Sequence, residues 1–285
     1  MTLAFFMTQK SSSQVTKVDM MYRKMPCLRI DGDRAESAMH EVVEEIPVAL
    51  FVNGRHAMTA MMSPVNLEDF VTGYMFTEQI IKSPDEIESI KIEKNRVSVI
   101  TGNLFKVLGP KKTILSGCGG STSYIDADKL PKIKSDFMIS AGKIQEMIKT
   151  VLDSDIHHTT GGIHVVALAG KDKTFSVAED IGRHNALDRV IGFGLRNGID
   201  LSQTIVISSG RISSEMVRKC LIANIPVIVS RSATTTLSVE IAEKTGLTVI
   251  GFARGAKMNI YTHAQRVKGI ASVTTISYDP KGKKH

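Results

Sequence analysis

Tryptophan is absent from the 285-residue chain and aromatic residues make up only 5%, so the interleaved stacking platform of a single-strand nucleic-acid binder is not supplied. The three cysteines, Cys27, Cys118 and Cys220, form an odd set with no close pair. That argues against a disulfide framework and against a cysteine-based zinc site, and free thiols are expected. No apolar run approaches the roughly 20 residues of a membrane-spanning helix. The opening MTLAFFMTQKSSSQ has neither a basic start nor a small-residue cleavage site, so a cytoplasmic protein without membrane attachment is expected. Nucleotide hydrolysis lacks its phosphate loop: GCGGSTSY has neither the lysine nor the spacing of a Walker A sequence, and no GxGxxG leads from a strand into a helix. The His-x-Glu and Pro-Cys-x-x-Cys of zinc deaminases are missing too, because His56, His164 and His184 are followed two places on by Met58, Val166 and Ala186.

What is present is an average globular composition, 42% hydrophobic and 23% charged. Lys and Arg total 36 against 29 Asp and Glu, a formal charge of +7, which favours an anionic partner. Part of the excess sits in the terminal KGKKH. With so few aromatics, a small phosphate-bearing ligand fits this balance better than nucleic acid.

Along the chain, residues 1–45 read as a variable entry segment without sustained periodicity. IPVALFVNGRHAMTAMM is two apolar runs joined by Asn53 and Gly54, the pair that suits a type I′ hairpin turn. NLEDFVTGYMFTEQII predicts a helix with Asn66 as N-cap and Phe70, Tyr74 and Ile81 on one side. EIESIKIEKNRVSVIT predicts a second hairpin around Lys94 and Asn95. GNLFKVLGPKKTILSGCGGSTSY has no lasting period and is expected to be a long exposed loop. SAGKIQEMIKTVLDSD predicts a helix capped by Ser140 that buries Ile144, Met147, Ile148 and Val151. GGIHVVALAG and KTFSVAED predict a strand pair, and IGRHNALDRVIGFGLRNG a helix burying Leu187, Val190, Ile191 and Gly194.

The last third alternates strand and helix: TIVISSG, RISSEMVRKCLIAN, IPVIVSRS, TTTLSVEIAEKTG, LTVIGFARG. The fold class expected is therefore α/β with a largely parallel central sheet. The organisation expected is an entry segment 1–45, an α+β portion 46–135, an α/β domain 136–270 and a basic tail 271–285. Ligands of such sheets bind beyond the carboxyl ends of the strands. Three loops fall there, SSGR, SRSATT and FARGAK, each carrying an arginine: Arg211, Arg231 and Arg254. Two of them lead into helix N-termini, which favour anions. Ser and Thr are also ordinary caps and Arg an ordinary surface residue, so it is the coincidence of three loops that points to a phosphate pocket.

EDIGRHNALD gathers Glu179, Asp180, Arg183, His184, Asn185 and Asp188 at one strand-to-helix junction. Capping accounts for the acids; His184 is left as a candidate for proton transfer or for raising the thiolate fraction of a cysteine. Cys220 follows Met216 by four on an apolar helix face and reads as core. Cys118, boxed in by glycines and serines with Lys111 and Lys112 close by, is the one thiol with an active-site setting, suited to holding sulfur as a persulfide.

The blocks SGCGGS, TGGIHVVAL, EDIGRHNALDRVIG, SSGRISSEMVRKC, IPVIVSRSATT and GFARGAKMNIYT, in this order, resemble the FdhD family over about Ile46 to Val267. The resemblance implies a cytidine-deaminase-like α/β fold without the deaminase zinc, and a sulfur carrier required for formate dehydrogenase activity. Sulfur would pass from a cysteine desulfurase to the molybdenum cofactor, bis-molybdopterin guanine dinucleotide, before its insertion into formate dehydrogenase. On this likeness Cys118 falls on the family's persulfide cysteine, and Phe252, Ala253, Arg254, Gly255, Ala256 and Lys257 on its cofactor-binding segment. Arg211, Arg231 and His184 are secondary candidates. A homodimer is expected, with no metal held by the protein itself. The alternative is a guanine-nucleotide or cofactor-binding chaperone whose cysteine is inert. One departure stands out: many relatives carry Cys-x-x-Cys in the loop, whereas here the fourth position is Ser121, so no disulfide can form between those two positions.

Overall fold

The computed structural model describes residues 20–102, 112–114 and 129–270. Within them the chain forms two sheet-based halves clamped together by helices, with a two-stranded ribbon projecting from their junction.

The ribbon comes first. β1 (Tyr22–Asp31) and β2 (Arg34–Val43) pair antiparallel over their full length, turning at Gly32, whose φ of 63° suits glycine. This is the main departure from the irregular entry segment read from the sequence. β3 (Ile46–Val52) and β4 (Arg55–Met62) then form the expected hairpin, with both turn residues at positive φ, Asn53 at 50° and Gly54 at 77°. α1 (Leu67–Thr77) covers one face of this sheet. Asn66 occupies its N-cap position but adopts a left-handed conformation (φ 49°) and its side chain makes no capping bond. The helix also ends at Thr77, so Ile81 packs into the core from the turn beyond it. β5 (Ile87–Glu93) and β6 (Arg96–Thr101) form the second expected hairpin. β7 (Lys112–Ile114) pairs parallel to β4, so the segment expected to be a loop throughout contains a short strand. The resulting order is β5-β6-β3-β4-β7.

The second half opens with β8 (Ile139–Ser140) and α2 (Ala141–Val151). Ser140 accepts from Lys143 N as expected, and Ile144, Met147, Ile148 and Val151 are all buried. α3 (Asp155–Thr160), unpredicted, is a single capped turn and a half. There follow β9 (His164–Ala169), β10 (Thr174–Asp180), α4 (Arg183–Arg196), β11 (Ile205–Ser208), α5 (Ser214–Ile222), β12 (Val227–Ser230), α6 (Thr236–Thr245), β13 (Thr248–Arg254), β14 (Lys257–Ile260) and β15 (Val267–Lys268), which pairs with β8. The sheet order is β10-β9-β11-β12-β13-β14. Only β11–β12 and β12–β13 pair in parallel; the flanking pairs are antiparallel, so the sheet is mixed rather than largely parallel. The parallel centre is nevertheless what the runs IVIS and VIVS require. Every residue in both is buried, because α4, α5 and α6 cover one face and α2 the other.

Two devices lock the halves together. α1 and α4 cross with their backbones in contact. A Cβ placed on Gly73 would lie 1.8 Å from the Asp188 carbonyl oxygen, and one on Gly192 would lie 1.9 Å from that of Asp69. Buried ion clusters flank the crossing. Arg189 pairs with Asp180 at 2.8 Å and donates to Ser63 O at 2.7 Å, while Ser63 N donates back to Asp180 and Asn185 Nδ2 donates to Met61 O. On the other side Lys219 Nζ meets Asp188 at 2.8 Å and Thr77 Oγ1 at 3.0 Å, and Thr77 Oγ1 donates to Asp188 at 2.8 Å. Asp180, Asn185 and Asp188, gathered in the sequence as one polar junction, are thus fastening residues between the halves. Each such buried charge is tolerated because it is both paired and hydrogen bonded.

Candidate functional site

β11, β12 and β13 run in parallel, so the three segments leaving them share one edge of the six-stranded sheet, as the alternation of elements predicts. These segments are also hydrogen bonded to one another in order. Ser230 Oγ donates to Gly210 O at 2.6 Å, Arg231 N to Ser208 O at 3.1 Å, Phe252 N to Ser232 O at 2.9 Å, and Arg254 Nε to Arg231 O at 2.8 Å. Ser213 caps α5 by accepting from Met216 N, and Thr235 caps α6 in a reciprocal box with Ser238. The edge is therefore preorganised, with Arg211, Arg231 and Arg254 all exposed on it.

Arg231 and Arg254 line an open cavity of about 690 Å³ whose opposite wall is α2, through Gln145, Ile148 and Lys149, with Asp153 and His158 at one end. Gln145 Nε2 donates to Ala256 O at 3.0 Å, tying α2 to the turn between β13 and β14. The acids of the cavity are already engaged: Asp153 by His158 at 2.7 Å, Glu146 by Lys143 at 2.8 Å. Among the described residues Lys149 and Arg254 have no ion pair, so the cavity presents uncompensated positive charge, fit for an anionic ligand. The contribution of α2 was not read from the sequence. Its signal was there in Gln145 and Lys149, four apart on the polar side of an amphipathic helix.

Phe252 is the most unusual residue of the edge. The register of β13 against β14 shifts between Gly251 and Arg254, so Phe252 and Ala253 form a bulge. Ala253 turns into the core. Phe252 takes the left-handed region (φ 51°) and remains 42% exposed, a conformation that costs a bulky residue of order 1 kcal/mol or more and marks functional positions. A ring held outward beside cationic groups suits a flat heterocycle bearing phosphate. Gly255, at φ 55°, makes the turn that returns Lys257 to the same exposed edge.

The antiparallel flank brings further groups to this edge. His164 starts β9, level with the end of β11, and lies so close to Gly210 that a Cβ there would be 3.0 Å from its Nδ1 and 3.1 Å from Arg183 Cδ. Burial, then the Arg183 charge, lower the His164 pKa. His184 Nε2 sits 3.0 Å from Ser213 Oγ, and burial, followed by the Arg183 and Lys219 charges, pulls its pKa down to about 3. At neutral pH it is uncharged, so it has no positive charge to offer a thiol. Because an unfolded histidine titrates near 6.5, the unfolded chain binds this proton first, and stability falls as pH drops from about 6.5 towards 3. A slope of about 1.4 kcal/mol per pH unit is expected from this group. Denaturant melts of wild type and His184→Gln between pH 6.5 and 4.5 check it: the variant is expected to lose less stability over that range.

Cys118, with Lys111, lies outside the described residues. Cys220 is fully buried and its thiol is pushed up to about 12, as a core residue requires. Cys27 is exposed on the ribbon. Among the described residues no cluster of His, Cys, Asp and Glu is arranged to hold a metal, and no helix is long and apolar enough to cross a membrane.

Comparison with known proteins agrees on one family. The FdhD/NarQ family model matches residues 43–268. The sulfur carrier protein FdhD of Wolinella succinogenes is 37% identical over 263 residues, covering 87% of this chain and 90% of its own. That of Methanothermobacter thermautotrophicus is 34% identical, covering 87% of this chain and 99% of its own. In three dimensions the chain is similar to a crystal structure from Desulfotalea psychrophila, described as a formate dehydrogenase accessory protein, with a TM-score of 0.74, 25% identity, and coverage of 87% of this chain and 99% of that one. A family match over most of the chain, relatives of this identity and a shared fold leave one conclusion: the chain belongs to the FdhD/NarQ family.

Proposed function

We propose that the protein is a cytoplasmic sulfur carrier serving formate dehydrogenase. Cys118 accepts sulfur from a cysteine desulfurase as a persulfide and passes it to bis-molybdopterin guanine dinucleotide, the form of the molybdenum cofactor destined for that enzyme. The names of the relatives support the role. The observation that carries the placing of the cargo is the laced edge, where FARGAK is hydrogen bonded to SRSATT and opens on a cationic cavity. In this reading Arg231, Arg254 and Lys257 meet phosphates, Phe252 lies against a flat ring, and Gly255 and Ala256 let the ligand approach the backbone. The six-stranded half serves as a cytidine-deaminase-like frame whose strand-end site holds a nucleotide-like cargo in place of a metal. One thiol suffices for such a carrier, since the persulfide needs no partner cysteine and Ser121 can supply none.

The test is to incubate the protein with a cysteine desulfurase and cysteine and weigh it. Wild type is expected to gain labile sulfur that a thiol reductant removes, and Cys118→Ala to gain none. Arg254→Ala is expected to load normally but to bind guanosine diphosphate at least tenfold more weakly. Equal loading of Cys118→Ala would overturn the carrier assignment and leave the chaperone reading, in which only nucleotide binding responds to substitution.

A further inference from the structure

Four basic groups, His157, His164, Arg183 and Arg211, gather on the antiparallel flank of the edge, and the cavity of Arg231 and Arg254 uses none of them. Gly210 is where they converge. The pairing of β9 with β11 is extended by Ser209 N donating to Val165 O and Val165 N to Ser209 Oγ, both at 2.9 Å, which sets His164 level with Gly210. The His164 ring and the Arg183 stem rest where a side chain of Gly210 would stand, with Nδ1 3.0 Å and Cδ 3.1 Å from the position of a Cβ. Arg211 is the next residue in the chain and is exposed. Among the described residues it has no salt bridge. Ser230 Oγ donates to the Gly210 carbonyl at 2.6 Å, so the cluster shares the lacing of the rest of the edge.

Charge sets this cluster apart from the others in the molecule. Arg189 and Lys219 face buried aspartates, and Arg196 and Arg218 face glutamates. Burial first, then the charges of Arg183, His157 and Arg211, lower the His164 pKa, so every charge acting on this ring is basic. The acids paired across from β9 are engaged elsewhere: Glu179 accepts from Ser154 Oγ, and Asp180 is bound to Arg189. Glu215 lies 3.9 Å from His184 Nε2. Half-buried like charges repel at short range, and a fold that keeps them together at a strand-end edge awaits a counter-charge from outside. We infer that Arg183, Arg211 and His164 form a second anion subsite of the edge, taking a tetrahedral oxyanion of the phosphate or molybdate kind. Arginine offers it charge-assisted hydrogen bonds in a fixed fork, and the imidazole adds a donor. The sheet order keeps the subsite apart from the cavity. β9 and β13 are three strand spacings of ~4.8 Å from each other, about 14 Å in all. A ligand spanning both carries two anionic groups. The inference thus rests on the cargo reading and deepens it, by giving the end of the cargo remote from the guanosine phosphates binding groups of its own.

Inorganic phosphate and molybdate, titrated separately into the full chain by calorimetry at low ionic strength, are the probes. Arg211→Ala is expected to bind the preferred oxyanion at least tenfold more weakly than wild type, and Arg254→Ala within twofold of it. Tighter molybdate assigns the subsite to a metal-oxo centre and tighter phosphate to a phosphoryl group; either order supports it. Proton NMR on wild type needs no variant. The oxyanion is expected to shift the Hε1 resonance of His164 with the calorimetric midpoint and to leave that of His158, which lines the other cavity, in place. Binding of neither probe, undiminished affinity in Arg211→Ala, or a shift at His158 with none at His164 overturns the inference. Guanosine diphosphate that displaces the oxyanion mole for mole would make the two sites one and overturn it as well. If the oxyanion binds and guanosine diphosphate does not, the cargo reading falls and the subsite stands.

Discussion

Gly192→Ala is expected to lower the melting temperature by roughly 10 °C or to prevent folding. Two effects oppose each other. Alanine favours a helix over glycine by about 1 kcal/mol, which alone would stabilise α4. Against it, the new Cβ would lie 1.9 Å from the Asp69 carbonyl, where real contacts essentially never fall below 3.0 Å. The obstacle is backbone, so no rotamer change relieves it, and α1 must retreat by more than 1 Å. That retreat pulls on the Arg189 and Lys219 clusters at the same crossing, so a loss of about 3 kcal/mol or more is expected, at the upper end of overpacking costs. For a domain of this size each kcal/mol corresponds to roughly 2–4 °C. Gly142→Ala is the contrast, since a Cβ there meets nothing within 4 Å; it should be neutral or stabilising. Calorimetry of the two variants checks both, and a Gly192→Ala melt within 2 °C of wild type would refute the close crossing.

Asp188→Ala should be comparably damaging for a different reason. It strips the ammonium of Lys219, whose side chain is 2% exposed, of its closest counter-charge and leaves it Thr77 Oγ1 at 3.0 Å and the more distant Glu78 carboxylate at 3.5 Å. Removing one member of a buried pair typically costs about 3–5 kcal/mol. Asp188→Leu combined with Lys219→Met removes both charges and leaves Thr77 Oγ1 its bond to Tyr74 O. The double variant should recover most of the loss, so that a cycle of urea melts yields a coupling energy of about 2 kcal/mol or more. A double variant no better than Asp188→Ala would mean that the cluster contributes through shape rather than charge.

Much of the architecture was legible because its causes are local. Asn53 and Gly54 state their turn in two residues. The apolar runs of β11 and β12, each followed by a capped helix, state a parallel centre and so the edge on which Arg211, Arg231 and Arg254 meet. The antiparallel flanks were not legible. β9 could pair with β10 alone or also with β11, and only packing decides. The return strand β14 hides behind a turn at Gly255 within a segment read as a binding loop. The ribbon was missed because charged residues interleave its alternating Pro26, Leu28 and Ile30, and no core covers them. The fastening of Asp188 to Lys219 and Thr77 joins residues 31 and 111 positions apart, beyond any periodicity. The cavity was half legible: its arginines stand in strand-end loops, but its opposite wall belongs to a helix read for its apolar side.

The crossing of α1 and α4 limits how this molecule can work. Elements that slide past one another in a shear motion are separated by layers of side chains that can repack. Here main chain rests on main chain, with an ion cluster on either side, and no intermediate packing exists between closed and parted. A hinge between the two sheets is thus ruled out short of unfolding, and the halves should melt in one cooperative transition.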